Sequence, residues 1–234
     1  MKLEDLLKEV PELNNYLKNM PPELRHRCTI RVYPPGTIIH QKDFKLEHFG
    51  IIAKGEHRVI NEFENGNVYM IEKNEPIDFV GEVTILAGKE KTSVTIETLT
   101  ETTVIYFSRK DFEHWIEAGI HFLRLVAQKV AYKLYRSSYN RGARLFYPPH
   151  FILLDYILKQ AASMQVESCT SGSVIIRKTR QELYEECGIT VKTLNRTIRK
   201  LADDGMISLV KGKISMTPEQ YRLGLERIHH YVNY

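Results

Sequence analysis

The chain has few cysteines, and their spacing gives them no shared role. Cys28, Cys169 and Cys187 are odd in number and lie far apart among the 234 residues. A disulfide framework needs an even set of cysteines, and a structural zinc site needs closely spaced pairs. The sequence therefore predicts free thiols and domains that fold without covalent staples.

Long apolar runs are also missing. The longest, such as residues 151–154, are far shorter than the roughly 20 residues of a membrane-spanning helix. The first residues, MKLEDLLKEV, carry acids early and lack the apolar core of a signal peptide. We therefore predict a cytoplasmic protein.

Neither sign of charge dominates the composition. The formal net charge is only +4, while 43% of residues are hydrophobic and 26% are charged, as in ordinary globular proteins. The length favours two domains. The stretch from Arg177 to Lys213 contains nine basic and five acidic residues. The whole excess of four positive charges therefore lies in that stretch. This stretch is therefore the part of the chain whose charge favours a nucleic-acid partner.

The first half of the chain alternates between two patterns. Helical spacing of leucines predicts short helices within residues 1–28, and short β-type runs follow to residue 107. Turn residues separate these runs at intervals typical of an all-β roll or sandwich. Asn65-Gly66 predicts a hairpin with a type I′ turn. The runs are TIRVY, TIIH, FGIIAKG, HRVINEF, VYMIEK, DFVGEV, TSVTIETL and TTVIYF.

A long helix is predicted after the roll, from about residue 120 to residue 145. Steps of three and four residues separate its apolar or small side chains, which is the pattern of a two-helix coiled coil. One alternative is that this stripe packs on its own roll. A helix of about 39 Å is difficult for one small domain to cover, which favours a homodimer. The 120–137 stripe consists of Ile120, Leu123, Ala127, Val130, Leu134 and Ser137.

Two short helices are predicted beyond the Tyr147-Pro148-Pro149 break. Thr179 and Glu182 fit a capping box, and Gly188 ends the first helix. Thr190 caps the second, which ends at Asp204 before Gly205. Helical geometry places Leu194, Ile198 and Leu201 on one side of this second helix and Lys192, Asn195, Arg196 and Arg199 on the other.

That polar face has no acid between Thr190 and Lys200. A solvated charged face is the alternative, but the preceding helix and turn have helix-turn-helix lengths, which favours DNA reading. Residues 206–210 and 213–216 predict a hairpin wing across Lys211-Gly212. We therefore predict an α+β protein in three parts. These are a β-roll with N-terminal helices (1–108), a dimerisation helix region (109–147) and a winged helix-turn-helix domain (148–234).

Several stretches together resemble the CRP/FNR family of bacterial transcription regulators, over about residues 20–216. They are YPPGTIIHQKD, FGIIAKGEHRVINEFENGN, DFVGEVTIL and TRQELYEECGITVKTLNRTIRKLADDGMI. The resemblance implies a cyclic-nucleotide-binding-like roll, in which a small effector controls how a homodimer meets a palindromic promoter site. RNA polymerase is a further partner that it implies.

The resemblance also assigns the DNA contacts. The family's common Arg-Glu pair after the turn is Val191-Lys192 here, so the target sequence should differ from the founding consensus. Arg or Lys can pair with guanine and Asn with adenine, whereas Val191 offers only an apolar contact to thymine. The predicted DNA-binding residues are Thr179, Arg180, Gln181, Thr190, Val191, Lys192, Asn195, Arg196, Arg199, Lys200, Lys211 and Lys213.

The effector is not specified by the sequence. In the cyclic-nucleotide members a Gly-Glu pair holds the ribose, and Arg with Ser or Thr holds the phosphate. Lysine at the second place lacks the two-pronged guanidinium contact, which argues against a cyclic nucleotide. The positions that correspond are Gly81, Glu82, Lys91, Thr92, Ser137 and Ser138.

The same residues also bear on other cofactors and functions. An iron–sulfur cluster is not expected, because only Cys28 lies near the N-terminus. The nine histidines do not exclude an axial ligand to haem. A sensor module without DNA binding would not explain the capped helices. A cupin-like enzyme is a distant alternative, because His40, His48 and His57 form no His-x-His pair. Residues 217–234 predict a helix from Pro218 without an assigned role.

Overall fold

A computed structural model of the protein describes residues 2–169 and 172–232, except for the side chains of residues 139–146 and 230–232. The chain divides into two compact units, Met1–Ser138 and Tyr139–Tyr234. The three-part division from the sequence stays a prediction. Over the described ranges no helix combines the length and apolar character needed to cross a membrane.

The first unit contains the predicted roll, which is built from two four-stranded antiparallel sheets. Their strand orders are β1-β8-β3-β6 and β2-β7-β4-β5. The strands are β1 (Thr29–Tyr33), β2 (Ile38–His40), β3 (His48–Lys54), β4 (His57–Glu62), β5 (Val68–Asn74), β6 (Asp78–Val80), β7 (Thr95–Thr98) and β8 (Thr102–Ser108). The α+β class is confirmed.

Helices precede, interrupt and follow the roll. They are α1 (Leu3–Glu9), α2 (Leu13–Leu17), α3 (Pro22–Arg27), α4 (Glu82–Leu86), α5 (Arg109–Ala118) and α6 (Ile120–Phe146). Side chains alternate along β3, because successive residues of a strand point to opposite faces. Phe49 and Ile51 therefore join the core beneath the helices, whereas Ile52 joins Ile96 and Val104 between the sheets.

Two local predictions in the roll were wrong. The run DFVGEV is not one strand: β6 ends at Val80 because Gly81 has a φ of +91°, and α4 begins at Glu82. The β4–β5 hairpin is present, but its turn is not type I′. Phe63 and Asn67 close a three-residue loop in which Gly66 has positive φ (+77°) and Asn65 does not. A type I′ turn requires positive φ at both central residues.

Helix α6 has two distinct faces within the first unit. Phe122 and Val126 are buried against the roll, and the Lys129 and Lys133 ammonium groups donate to carbonyls of Ile77 and Phe79. In the 120–137 stripe Ile120 is 79% and Leu134 65% exposed, whereas Leu123, Val130 and Ser137 are half-buried. The roll of the same chain therefore leaves part of the stripe uncovered, and the choice between a dimer seam and packing on the roll stays a prediction.

The second unit forms around one apolar core. Its elements are α7 (Pro149–Ser163), a 3₁₀ turn (Val166–Ser168), β9 (Val174–Ile176), α8 (Arg180–Cys187), α9 (Val191–Asp203), β10 (Ser208–Val210), β11 (Lys213–Met216) and α10 (Pro218–Val232). Strands β10, β11 and β9 form an antiparallel sheet in that order. This unit has the predicted winged helix-turn-helix architecture, and the helix predicted from Pro218 is present.

Candidate nucleic-acid interface and effector region

The predicted caps define where α8 begins and where the turn follows it. The Thr179 hydroxyl accepts from the Glu182 amide at 3.1 Å, and Glu182 accepts from the Thr179 amide at 2.6 Å. Burial raises the pKa of Glu182, but this hydrogen bond and the Lys178 charge outweigh it and hold the pKa below its ordinary value. Gly188, with a φ of +67°, ends the helix.

Helix α9, the recognition helix, is capped at both ends. The Thr190 hydroxyl accepts from the Thr193 amide at 3.4 Å. At the other end the amides of Gly205 and Met206 donate to Ala202 and Leu201 at 3.0 and 2.9 Å, with a Gly205 φ of +72°. This is the Schellman arrangement, and it stops the helix at a defined residue.

The two faces of α9 separate as predicted. Leu194, Ile198 and Leu201 are at most 3% exposed and belong to the core of the unit. The opposite side chains are exposed and border a shallow groove, formed by Lys192, Asn195, Arg196, Arg199, Lys200, Asp203 and Asp204. Arg, Lys and Asn are the side chains that pair with base edges in the major groove. The acids lie only at the C-terminal end of this face.

The wing, defined as the β10–β11 hairpin, presents one lysine at its tip. Lys211 and Gly212 both have positive φ, +48° and +76°, which gives the two-residue hairpin turn. Lys211 is exposed. Lys213 is half-buried, and its ammonium donates to the Lys178 carbonyl at 3.1 Å. Of the two predicted wing lysines, Lys211 is therefore the freer cation.

Two further predicted DNA contacts have partners inside the unit. The Arg180 guanidinium donates to the Gly212 carbonyl at 3.1 Å, so it links the start of α8 to the wing turn. Burial lowers the pKa of Arg180. The Gln181 amide donates to Glu185 at 2.9 Å. Thr179 has its hydroxyl in the cap, so the start of α8 is fixed largely by its own contacts.

In the roll, Glu82 is held by an internal ion pair. It is 1% exposed, and the Lys133 ammonium lies 2.8 Å from its carboxylate and 3.2 Å from that of Asp78. Burial raises the pKa of Glu82 even though Lys133 opposes the rise. Burial also raises that of Asp78, but the neighbouring His57 and Lys133 outweigh it, so this pKa lies below its ordinary value.

His57 completes this buried cluster, and sequence reasoning missed it. The ring is fully buried, with Nε2 3.2 Å from the Asp78 carboxylate but not aligned for a hydrogen bond. His57, Asp78, Glu82 and Lys133 come from β4, β6, α4 and α6. No local sequence motif predicts such a cluster, because its members are far apart in the chain and meet only when the strands and helices pack together.

The predicted effector residues differ in their surroundings, and their joint role stays a prediction. Lys91 is exposed, while Thr92 is buried and its hydroxyl donates to the Gln41 carbonyl at 2.6 Å. Gly81 serves as the positive-φ residue before α4. Ser137 is half-buried and Ser138 exposed on α6. With Glu82 paired to Lys133, this arrangement does not fit a cyclic nucleotide held in the way that the resemblance implies.

Two cavities in the first unit have other linings. One, of about 350 Å³, lies between α6 and the β5–β6 segment and is lined by Lys73, Asn74, Glu75, Asp78, Lys129, Tyr132, Lys133 and Arg136. The other, of about 280 Å³, is lined by Thr29, Arg31, Tyr33, Ile39, His40, Lys45, Leu46, Glu47, His48 and Tyr106. Both mix cations with acids, and neither includes the six predicted effector residues.

Comparison with known proteins gives consistent results. The family model of the cyclic nucleotide-binding domain matches residues 30–118. The chain is 26% identical to the cAMP-activated global transcriptional regulator CRP of Salmonella typhimurium, over 77% of this chain and 86% of the relative. It is 22% identical to the transcriptional activator protein FnrL of Cereibacter sphaeroides, over 76% and 72%.

A solved structure shows the same fold. The c-di-GMP responsive global regulator CLP of Xanthomonas campestris matches with a TM-score of 0.69 at 14% identity, covering 82% of this chain and 95% of that one. A roll of cyclic nucleotide-binding type and a winged helix with a basic recognition helix define a DNA-binding transcription regulator. These similarities support a transcription regulator of the CRP/FNR type.

Proposed function

We propose that the protein binds a palindromic promoter site as a homodimer, with α9 of each copy in the major groove. The observation that carries this proposal is the two-faced recognition helix, whose apolar side is buried while Lys192, Asn195 and Arg196 are exposed. A merely solvated face would not need helix caps at both ends and a paired wing. Base reading requires this combination of rigid support and free polar groups.

The homodimer follows from α6. Its 120–137 stripe has coiled-coil spacing, and three of its members, Ile120, Ala127 and Leu134, are exposed in the single chain. A second copy of the same helix is the partner that suits a self-complementary stripe. Two such copies would place their recognition helices in successive major grooves, about 34 Å apart.

The roll is the regulatory unit in this proposal. Lys133 joins α6 to Asp78 and Glu82, and it also lines the cavity beside α6. A small effector that competes for Lys133 would change the support of the helix that carries the stripe. It would shift the population of DNA-binding dimers only by its preference for one arrangement. Contact with RNA polymerase in the cytoplasm would convert binding into regulation.

The direct test is binding to DNA from upstream of the protein's own gene. Fluorescence anisotropy of labelled duplex should show binding whose affinity falls steeply as salt rises, because phosphate contacts release counterions. An unrelated duplex of the same length should bind more weakly. Equal and weak binding to both duplexes at every salt concentration would refute sequence-specific recognition.

Arg196→Ala should lose base preference. Arg196 is exposed one turn into α9, where a guanidinium can reach guanine N7 and O6. We expect a loss of about 1–3 kcal/mol against the cognate base pair and little further loss when that pair is changed. Competition with single-base variants of the site measures this. Arg222→Ala, which removes an exposed charge from α10, is the control, and equal losses on all sequences would contradict the assignment.

Lys211→Ala should weaken binding to every sequence to a similar degree. Lys211 is exposed at the wing tip, and a phosphate contact carries no base information. The slope of log affinity against log salt should flatten by about 0.9, which corresponds to one phosphate contact. Lys159→Ala is the control, since Lys159 pairs with Asp155 on α7. An unchanged slope would place Lys211 away from DNA.

A further inference from the structure

The segment that follows the wing lies beyond the stretch that resembles the family, and it is well anchored. Helix α10 begins with its own capping box. The Gln220 amide donates to the Thr217 hydroxyl at 3.1 Å, and the Gln220 side-chain oxygen accepts from the Thr217 amide at 3.1 Å. The side-chain oxygen of Gln220 is therefore used in the cap, and its amide nitrogen remains for other partners.

That nitrogen donates to the two segments that follow the recognition helix. Gln220 Nε2 lies 3.2 Å from the carbonyl oxygen of Gly205 and 3.0 Å from the hydroxyl oxygen of Ser208. Gly205 is the positive-φ residue directly after the C-cap of α9, and Ser208 is the first residue of β10. One side chain of α10 therefore links the exit of the recognition helix to the entry of the wing.

The body of α10 is fixed to the core that supports α9. Tyr221, Leu225 and Ile228 pack against that core. Gly224 allows a close approach to α7, because a Cβ there would lie 2.9 Å from Leu158 Cδ2. Helix α7 packs in turn against α9. Gln220 therefore extends from a helix that is packed on the core supporting α9, and not from the wing itself.

We propose that α10 is a working part of the DNA-reading unit and that Gln220 is a positioning residue, which fixes the wing relative to the recognition helix. The inference rests on the proposed function, since it assumes that α9 and the wing contact DNA together. It gives the C-terminal segment a role: α10 holds the wing tip, with Lys211, at a set distance from the base-reading face.

The exposure of the partners decides where this link has its effect. Gly205 and Ser208 are exposed, so water replaces Gln220 when the contact is lost, and folding stability changes little. Strand β10 has only three residues, lies at the edge of its sheet and pairs with β11 alone. Without Gln220 the wing must be ordered when DNA binds, and the ordering cost weakens binding.

Gln220→Glu tests this separately from the cap. A glutamate keeps the oxygen that accepts from Thr217, and Glu is favoured at this position of a capping box, but it has no proton to donate to Gly205 or Ser208. Leu223→Glu adds the same charge at an exposed position of the same helix and is the matched control. We expect Gln220→Glu to bind DNA about threefold to tenfold more weakly than Leu223→Glu, with melting temperatures alike.

A double variant shows whether Gln220 acts through the wing. If it does, adding Gln220→Glu to Lys211→Ala should cost less than it costs in the wild type, because the wing contact has already been lost. Ser208→Ala removes one acceptor without adding charge and should show a smaller loss of the same kind. Full additivity with Lys211→Ala, or equal affinity of Gln220→Glu and Leu223→Glu, would overturn the proposal.

Hydrogen exchange of the free protein separates this inference from the proposed function. The amides of Ser208 and Val210, which pair with β11, should exchange faster in Gln220→Glu than in Leu223→Glu, whether or not DNA is bound. If the wild type binds no DNA but this difference is found, the DNA-binding function fails and the positioning of the wing stands. If exchange in β10 is the same in both variants, Gln220 does not position the wing.

Discussion

Leu134→Glu is expected to convert the homodimer into monomers and to abolish DNA binding at concentrations that saturate the wild type. Leu134 is 65% exposed in the single chain and belongs to the 120–137 stripe. In a coiled coil of two α6 helices it would be buried against its own copy. Each dimer would then contain two unpaired carboxylates of the same sign in an apolar seam.

The expected size follows from the cost of a buried, unpaired charge. Leaving one without a partner costs about 3–5 kcal/mol, so the dimer dissociation constant should rise by more than about 100-fold. DNA binding depends on the dimer. Once one recognition helix is bound, the second is held at a high effective concentration near the other half-site. A monomer keeps only the weak contacts of one half-site.

Sedimentation equilibrium and anisotropy with the palindromic duplex measure the two effects. Gln128→Glu is the matched control, since Gln128 is exposed on α6 but lies off the stripe. Circular dichroism should show that Leu134→Glu keeps its helices, because Phe122 and Val126, through which α6 packs on the roll, are unchanged. A Leu134→Glu protein that still sediments as a dimer would show that another surface joins the two copies.

The helix-turn-helix of the second unit could be predicted in detail because the residues that begin and end its helices lie close together in the sequence. A capping box links Thr179 to Glu182, three residues away, and Gly188 and Gly205 end their helices by their own backbone conformation. The faces of α9 follow from helical periodicity alone. Each of these features depends on residues within one or two turns, so one sequence was enough to place them.

The features that were missed depend on residues far apart in the chain. His57 and Lys133 meet Asp78 because β4, β6 and α6 pack together, and no spacing within the sequence encodes that meeting. The link from Gln220 to Gly205 and Ser208 likewise needs the folded unit. The prediction of a type I′ turn after Phe63 was wrong for a related reason. The pairing of β4 with β5 set the length of the loop, and it outweighed the preference of Asn65-Gly66 for a two-residue turn.

Lys133→Met should destabilise the first unit by about 3–5 kcal/mol at neutral pH, the cost of removing one partner from a buried ion pair. Asp78 and Glu82 are at most 3% exposed, and Lys133 is the cation that contacts both carboxylates. Methionine keeps most of the unbranched chain, so the packing against the roll changes little. The loss therefore comes mainly from two buried acids left without that cation.

Lys129→Met provides the comparison. Lys129 lies one turn earlier on α6 and donates to the Ile77 carbonyl, so its loss removes a hydrogen bond without leaving an acid unpaired. We expect this control to cost only about 1 kcal/mol. Thermal or urea unfolding of both variants measures the difference. Equal costs would show that the Lys133 ammonium contributes no more than its hydrogen bonds to carbonyls.

The pH dependence of the Lys133→Met defect identifies its cause. Burial already raises the pKa of Glu82, and a raised carboxyl pKa contributes stability at low pH that is lost as pH rises through the folded-state value. The pKa of Asp78 is held low partly by Lys133. This pair therefore contributes stability at pH values above the ordinary pKa of an aspartate. Removing Lys133 raises both pKa values, so the defect should be largest at neutral pH and shrink as pH falls towards about 4, where the unfolded carboxyls protonate. A defect that stays constant over this range would assign it to packing. It would also remove Lys133 as the charged link through which an effector in the roll could act on α6.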